Sequence, residues 1–306
     1  MRKPKVSTHK RPAGSKAPGR GLRVGFIGAG RVGSALAWHC KRLGYSITGI
    51  SDKMPKQAWV VYGLLKMSYR KVRPSALAEA SDVLFLSVPD RHIEPVFVAI
   101  RRWLKHGAIV VHCSGVLGVE VFKGAAAQGV ETLALHPIQS LSSHAQAIRA
   151  LPGSSFAIEG TRPGVAFGRR LVRQLKGSSV VIAGPDRPLY HAMCVFASNF
   201  ENVLLDSAEG VGARLGLRKR RVRKMLAPLM RTVLENAVNY GALASLTGPV
   251  RRGDTGTVRQ HLEALATRMP ELLTLYRACS LHLVEMARRQ GLGAAAVAEM
   301  RTLLRD

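Results

Sequence analysis

Acidic residues are scarce in this chain. Asp and Glu number 19 against 46 Lys and Arg, giving a formal net charge of +27 over 306 residues. That balance is unusual for an enzyme and raises nucleic acid as a partner. Aromatics are also few, at 6%. No RNA-binding aromatic signature and no zinc-ligand spacing accompany the charge. Long apolar runs are missing as well. None reaches the roughly 18 residues that a membrane-spanning helix needs. The basic opening "MRKPKVSTHKRPAGSKAPGRG" has no apolar segment after it to act as a signal sequence, so the expected location is the cytoplasm. The four cysteines, Cys40, Cys113, Cys194 and Cys279, lie far apart and form no CxxC pair. This excludes a disulfide frame or a cysteine metal site, and the expectation is small buried hydrophobes in a reducing compartment.

The positive charge is localised. Residues 1–20 hold seven Lys or Arg and no acid, and "RKRRVRK" (Arg218–Lys224) holds six more. A solvated, disordered tail and an exposed helix start are preferred here over nucleic-acid contact, since charge alone supplies only a non-specific, salt-sensitive attraction.

What is present begins at residue 22. "GLRVGFIGAGRVGSALAWHCKRLGYSITGISDK" reads as a short apolar strand, a glycine-rich turn, a helix and a second strand. Gly28, Gly30 and Gly33 fit G-x-G-x-x-G. The first permits the tight turn, the second lets the backbone approach a pyrophosphate, and the third lets the helix lie close on the sheet. The N–H groups of Ala29, Arg31 and Val32 belong to the same anion cradle at the helix start. Placed between a strand and a helix, the motif points to a bound dinucleotide. The second strand ends at Ser51, with Asp52 one place later and Lys53 and Lys56 beyond. An acid at the strand end would hold the ribose 2′-OH of NAD, whereas a small polar residue followed by a base suits the 2′-phosphate of NADP. The count leans to NADP, with NAD as the alternative.

Further strands read as "DVLFLSVPD", "AIVVHCSG", "ETLALHP", "SSFAIEG" and "SSVVIAG", most of them separated by helical stretches. The expected fold is an α/β Rossmann domain with a doubly wound, mostly parallel sheet over residues 21–185, followed by an all-α domain over 186–306. Ligands of such sheets lie beyond the carboxyl ends of the strands. The polar residues there are candidates: Ser87, Val88, Pro89 and Asp90 against the cofactor, and His112, Ser114, His136, Gln139 and Ser140 further along. Asp90 and Ser114 also fit as helix caps.

In the second half the apolar period changes to that of a helix. Residues 188–216 read as one long helix with His191, Ser198, Asn199, Asn202 and Asp206 on a side free of Lys and Arg, as suits a ligand cleft. Residues 224–246 read as the next helix, with Pro228 at a break or early turn. "SLTGPVRRGDTGTVRQHL" (245–262) interrupts the pattern. Thr257 and Gln260 fit a capping box, which predicts a helix start near Thr257. Arg251, Arg252 and Asp254 stand beside that start, where an anion is favoured.

Taken in order, "GFIGAGRVGSALA", "SVPD", "VVHCSG", "HPIQSLS", "FAIEG", "YHAMCVFASNF" and "LTGPVRRGD..TV..HL" resemble predicted oxidoreductases that join a Rossmann domain to domain of unknown function 2520. The resemblance covers residues 21–290. That family is similar in turn to ketopantoate reductase, pyrroline-carboxylate reductase and β-hydroxyacid dehydrogenases. The resemblance implies an NAD(P)-dependent oxidoreductase acting on a small, acidic carbonyl, hydroxyl or imine compound held between the two domains. It also implies a homodimer through the helical part. Many relatives of that group carry a Lys one turn before an Asn. Here Asn199 matches the Asn, but the residue four earlier is Val195, so the usual proton donor is missing. Asn199 and Ser114 then stand as hydrogen-bond donors to the reacting oxygen. His191 or His136 would supply the proton. Arg252, or Arg251, would anchor an acidic group beside Asp254 and Asn202. The missing Lys also motivates an alternative, a non-catalytic dinucleotide sensor.

Overall fold

The computed structural model describes residues 21–305. The expected basic tail over 1–20 lies outside the described residues. Contacts divide the chain into two compact units that meet between Ser198 and Asn199.

The first unit alternates strands and helices: β1 (Arg23–Ile27), α1 (Arg31–Arg42), β2 (Ser46–Ser51), α2 (Pro55–Leu64), α3 (Pro74–Ala80), β3 (Val83–Leu86), α4 (Ile93–Ile100), β4 (Ile109–His112), β5 (Glu131–Ile138), α5 (His144–Ala150), β6 (Ser155–Gly160), α6 (Arg162–Gln174), β7 (Ser178–Val181) and α7 (Arg187–Phe196). All seven strands join one sheet in the order β2-β1-β3-β4-β5-β6-β7. Every neighbouring pair is parallel except β5 with β6. The expected mostly parallel sheet is therefore present.

Strand residues alternate between two apolar layers because successive side chains point to opposite faces. Val24, Phe26, Val83, Phe85 and Val111 pack with α1, α2, α5 and α6. Ile27, Leu84, Leu86 and Val110 pack with α3 and α4 on the other side. Strands buried on both faces have to be nearly continuous in apolar residues, and these are. The chain leaves β1 toward β2 and returns to β3 on the opposite side. The strand order thus reverses at β1, and the crevice beyond the β1 and β3 ends is the switch point where ligands of such sheets bind.

The second unit is helical: α8 (Asn199–Arg214), α9 (Lys219–Tyr240), α10 (Pro249–Arg252), α11 (Thr255–Arg268), α12 (Leu273–Arg289) and α13 (Ala294–Arg305). Its core gathers Val250, Val258, Leu262, Val284, Val297, Met300 and Leu304 from α10 to α13. On α9, Met225, Leu229, Val233, Leu234 and Val238 are exposed. Among the described residues no helix is long and apolar enough to cross a membrane.

Four local expectations need correction. The long helix over 188–216 is two helices, α7 and α8. At the break the Ser198 hydroxyl donates to the Cys194 carbonyl at 2.6 Å, competing with the backbone ladder. His191 and Asn199 therefore do not share one helix face, and Asp206 pairs with Lys219 at 3.6 Å rather than lining a charge-free stripe. Pro228 does not interrupt α9, which begins at Lys219 and carries the basic run in its first two turns. The capping box does not form: α11 starts at Thr255, and Asp254 caps it by accepting from Thr257 N at 3.0 Å and Thr257 Oγ1 at 2.7 Å. Of the four free cysteines only Cys40 is fully buried, and Cys279 is exposed.

Candidate functional site

Gly28 follows β1 at φ +102°, a conformation that side chains disfavour. Its N–H donates to the Ser51 carbonyl at 2.8 Å, tying the turn to the end of β2. A Cβ on Gly28 would strike the Ser87 carbonyl, and one on Gly33 would strike the Ser87 hydroxyl and the Gly28 carbonyl. The Ser87 hydroxyl in turn donates to the Gly28 carbonyl at 2.8 Å. The turn is thus wedged against the end of β3. Gly30 differs, since a Cβ there would meet nothing within 4 Å. Gly30 is also the N-cap of α1, and no side chain caps that helix and no acid lies in its first turn. This is an open cradle of backbone donors at a positive helix end, which fits a pyrophosphate.

A cavity of about 760 Å³ opens from this turn. Gly28, Gly30, Ser51, Asp52, Lys53, Val88 and Pro89, seven of the residues expected against a cofactor, line it. Ala29, Arg31, Val32, Gly33 and Asp90 do not line it. Ala29 N donates to Asp52 Oδ2 at 2.7 Å. Arg31 reaches the Leu141 carbonyl at 2.8 Å. Asp90 opens a short 3-10 turn and caps nothing with its side chain.

Asp52 ties the glycine turn to the segment after β2. One oxygen accepts from Ala29 N and the other from Met54 N, both at 2.7 Å. It is the one acid among the described residues lining the cavity. The segment between α2 and α3 brings Arg70, Lys71 and Arg73 to the lining, and the turn before α4 adds Arg91 and His92. Arg70 is held by the Thr48 carbonyl at 3.1 Å. Sequence reading missed these cations. The run "YRKVRP" before α3 was the available signal, but only the fold carries it back to the turn.

A second group of residues gathers at the ends of β4 and β5. Register pairs Ile27 with Leu86, Leu86 with His112 and His112 with Ala134, so these ends continue the row that starts at Gly28. Two strand spacings, about 10 Å, separate β1 from β4. His112 is buried; its Nδ1 accepts from Ser114 N at 3.2 Å, so its Nε2–H donates to the Gly118 carbonyl at 3.0 Å. Burial and the nearby Arg187 charge push its pKa down to about 4. Ser114 forms a turn, its hydroxyl oxygen accepting from Val116 N and Leu117 N at 3.2 and 3.1 Å. Its carbonyl accepts from Arg187 Nη2 at 2.9 Å.

Arg187, the first residue of α7, is fully buried. Its Nη1 lies 3.8 Å from Glu159 Oε2, an ion pair rather than a hydrogen bond. One turn along that helix, at i+3 and i+4, Tyr190 and His191 face the same cluster. The Tyr190 hydroxyl meets His136 Nδ1 at 2.6 Å. The His136 and His191 rings lie edge to face, 6.1 Å apart. A Cβ at Gly115 would lie 2.5 Å from His191 Cδ2 and 3.0 Å from His136 Nε2. Three expected residues, Ser114, His136 and His191, are thus brought together; Arg187, Tyr190 and Gly115 are additions from the structure. Among the described residues no group of His, Cys, Asp or Glu could hold a metal ion.

The other expected residues belong to the helical unit. Asn199 opens α8 and Asn202 lies one turn on, both exposed. Arg251 reaches the Gln290 carbonyl at 3.4 Å, which ties it to the end of α12, while Arg252 is exposed. Asp254 is the cap already described.

A reversing parallel sheet with a glycine cradle, joined to a helical unit, defines a Rossmann-type two-part protein. The comparisons with known proteins agree. The chain carries a Rossmann-like domain, matched over residues 8–137, followed by a domain of unknown function (DUF2520), matched over 154–283. The second match begins ahead of β6, within the first unit. Among solved structures, it is similar to a candidate NADP oxidoreductase from Bacteroides fragilis (TM-score 0.73, 20% identity, covering 86% of this chain and 98% of that one). It is also similar to the pyrroline carboxylate reductase of Plasmodium falciparum with NADP bound (0.57, 14%, 93% and 99%). A third is an imine reductase from Pseudomonas sp. (0.57, 16%, 93% and 92%). No curated protein matches in sequence.

Proposed function

We propose that the chain is an NADP-dependent oxidoreductase that reduces a small, acidic carbonyl or imine compound. The observation that carries this reading is the cavity at the glycine cradle, whose rim gathers Lys53, Arg70, Lys71, Arg73 and Arg91 against a single acid. That acid, Asp52, already accepts one backbone N–H at each oxygen, which offsets part of its charge. A 2′-phosphate suits such a rim better than a bare ribose diol, which wants a free carboxylate. The kinship in fold with a reductase that has NADP bound and with an imine reductase supports the same reading.

The nicotinamide supplies hydride when bound, and the protein positions and polarises the substrate. In this reading the β4–β5 cluster of Ser114, His136 and His191 serves the reacting heteroatom. Asn199, Asn202 and Arg252 are the helical unit's substrate groups, with Arg252 meeting the acidic function. The exposed apolar side chains of α9 favour a homodimer through that helix.

The test is direct. NADPH and NADH are titrated by fluorescence, and NADPH oxidation is then followed across a panel of 2-keto acids and cyclic imino acids. Tight NADPH binding with turnover of one class supports the proposal. Tight binding with no turnover anywhere favours the sensor, and no binding of either nucleotide overturns both readings. Asn199→Ala is expected to keep the cofactor and lose turnover; unchanged turnover removes Asn199 from the chemistry.

A further inference from the structure

We propose that Tyr190 and Arg187 are positioning residues for His136, presenting its Nε2–H beside Gly115 as a fixed hydrogen-bond donor to the substrate's reacting heteroatom. The choice of substrate atom rests on the reductase reading above; the behaviour of the ring does not.

The geometry has three parts. The Tyr190 hydroxyl lies 2.6 Å from His136 Nδ1. A phenol is the better donor of that pair and a neutral imidazole nitrogen the better acceptor, so the hydrogen of the bond belongs to Tyr190. The ring hydrogen then sits on Nε2, the nitrogen that faces Gly115. A side chain at residue 115 would collide with both His191 and His136, so glycine is what lets the two rings meet there.

Arg187 fixes the helix that carries Tyr190. It is sealed from water, donates to the Ser114 carbonyl and pairs with Glu159 of β6. Positions i, i+3 and i+4 of a helix share a face, so anchoring Arg187 sets Tyr190 and His191 against the β4–β5 ends. The groups facing His136 are Arg187, Tyr190 and His191 of α7 and His112 of β4. None is an acid. Burial first, then the Arg187 charge, holds His136 at a pKa of about 4. No carboxylate faces it to favour an imidazolium, and a neutral imidazole polarises a carbonyl without first having to lose a proton.

The experiment uses the full chain labelled with ¹⁵N-histidine and reads long-range ¹H–¹⁵N spectra from pH 4 to 8. His136→Gln identifies the signal by its loss. The wild-type ring is expected as the Nε2–H tautomer and uncharged down to about pH 5. Tyr190→Phe is expected to move the Nδ1 signal and mix the tautomers. Arg187→Met is expected to raise the midpoint by roughly one unit, about tenfold in proton affinity. Arg187→Lys, which keeps the charge, leaves the midpoint low. If Arg187→Met does not fold, Tyr190→Phe decides alone. A wild-type midpoint near 6.5, or an Nδ1 signal indifferent to Tyr190→Phe, overturns the positioning roles. NADPH titration of the same samples separates the two readings. A held ring in a chain that binds no NADPH overturns the reductase reading and the substrate half of this proposal with it.

Discussion

Removal of the Arg70 guanidinium tests cofactor choice most cleanly. Arg70 lines the cavity rim and is steadied by the Thr48 carbonyl, so its position does not depend on a bound ligand. The side chain is exposed, and its charge acts through water. Two unit charges about 4 Å apart in water attract by about 1 kcal/mol. A phosphate monoester carries about −1.5 to −2 at neutral pH, so Arg70→Ala removes about 1.5–2 kcal/mol of NADPH affinity. That is a rise in Kd of roughly 10- to 30-fold. NADH carries no 2′-phosphate, and its Kd stays put. At 1 M salt the screening length falls to about 3 Å, and most of the difference vanishes. Fluorescence titrations with both nucleotides at low and high salt make the measurement. Equal weakening of NADPH and NADH would refute the argument, because Arg70 would then hold a part common to both. So would an NADPH loss that salt does not reduce.

Other outcomes follow from the same contacts. Gly30→Ala adds a Cβ in open space and keeps stability within about 0.5 kcal/mol by thermal melting, yet weakens NADPH binding about tenfold or more. Gly33→Ala strikes Ser87 and the Gly28 carbonyl, lowering stability by about 1–3 kcal/mol along with binding. The Asp254 cap has a pH signature. Hydrogen bonds from Thr257 hold its carboxyl below the ordinary range, so its stabilisation is complete above the unfolded value of about 4 and is lost as pH falls through the lowered folded value. The Tm gap between wild type and Asp254→Ala should therefore be full at pH 6 and close as pH drops below about 4. Leu229→Glu with Val233→Glu puts two charges on the exposed apolar side of α9. Sedimentation should show a dimer in wild type and a monomer in the variant; the same mass for both removes α9 from assembly.

Most of the sheet was legible in the chain because its signals are local. A doubly buried strand must be an apolar run, and a glycine turn needs its glycines where the backbone is tight. What escaped was decided by competition or by distance. Ser198 looked like one more polar residue on a continuous helix, but its N–H turns to the Val195 carbonyl while its hydroxyl takes that of Cys194, and α7 has ended by then. Thr257 fits a cap from the chain alone, but in the fold its N–H and hydroxyl both donate to Asp254 three residues earlier, and the helix starts there instead. The basic stretch of the cavity lining, Arg70 to Arg73, lies some forty residues from Gly30 in the chain, and no spacing rule connects the two. Arg187 read as one arginine among dozens. Its burial depends on Glu159, contributed by a different element.

That last pairing has a consequence for how such chains diverge. Glu159 also accepts from Gly184 N, and the backbone of Gly118 donates to Glu120 close by. A charge with no path to water cannot lose its counter-charge alone without a cost of about 3–5 kcal/mol. Relatives should therefore keep arginine and glutamate together at these positions, or replace both with apolar residues of matching size.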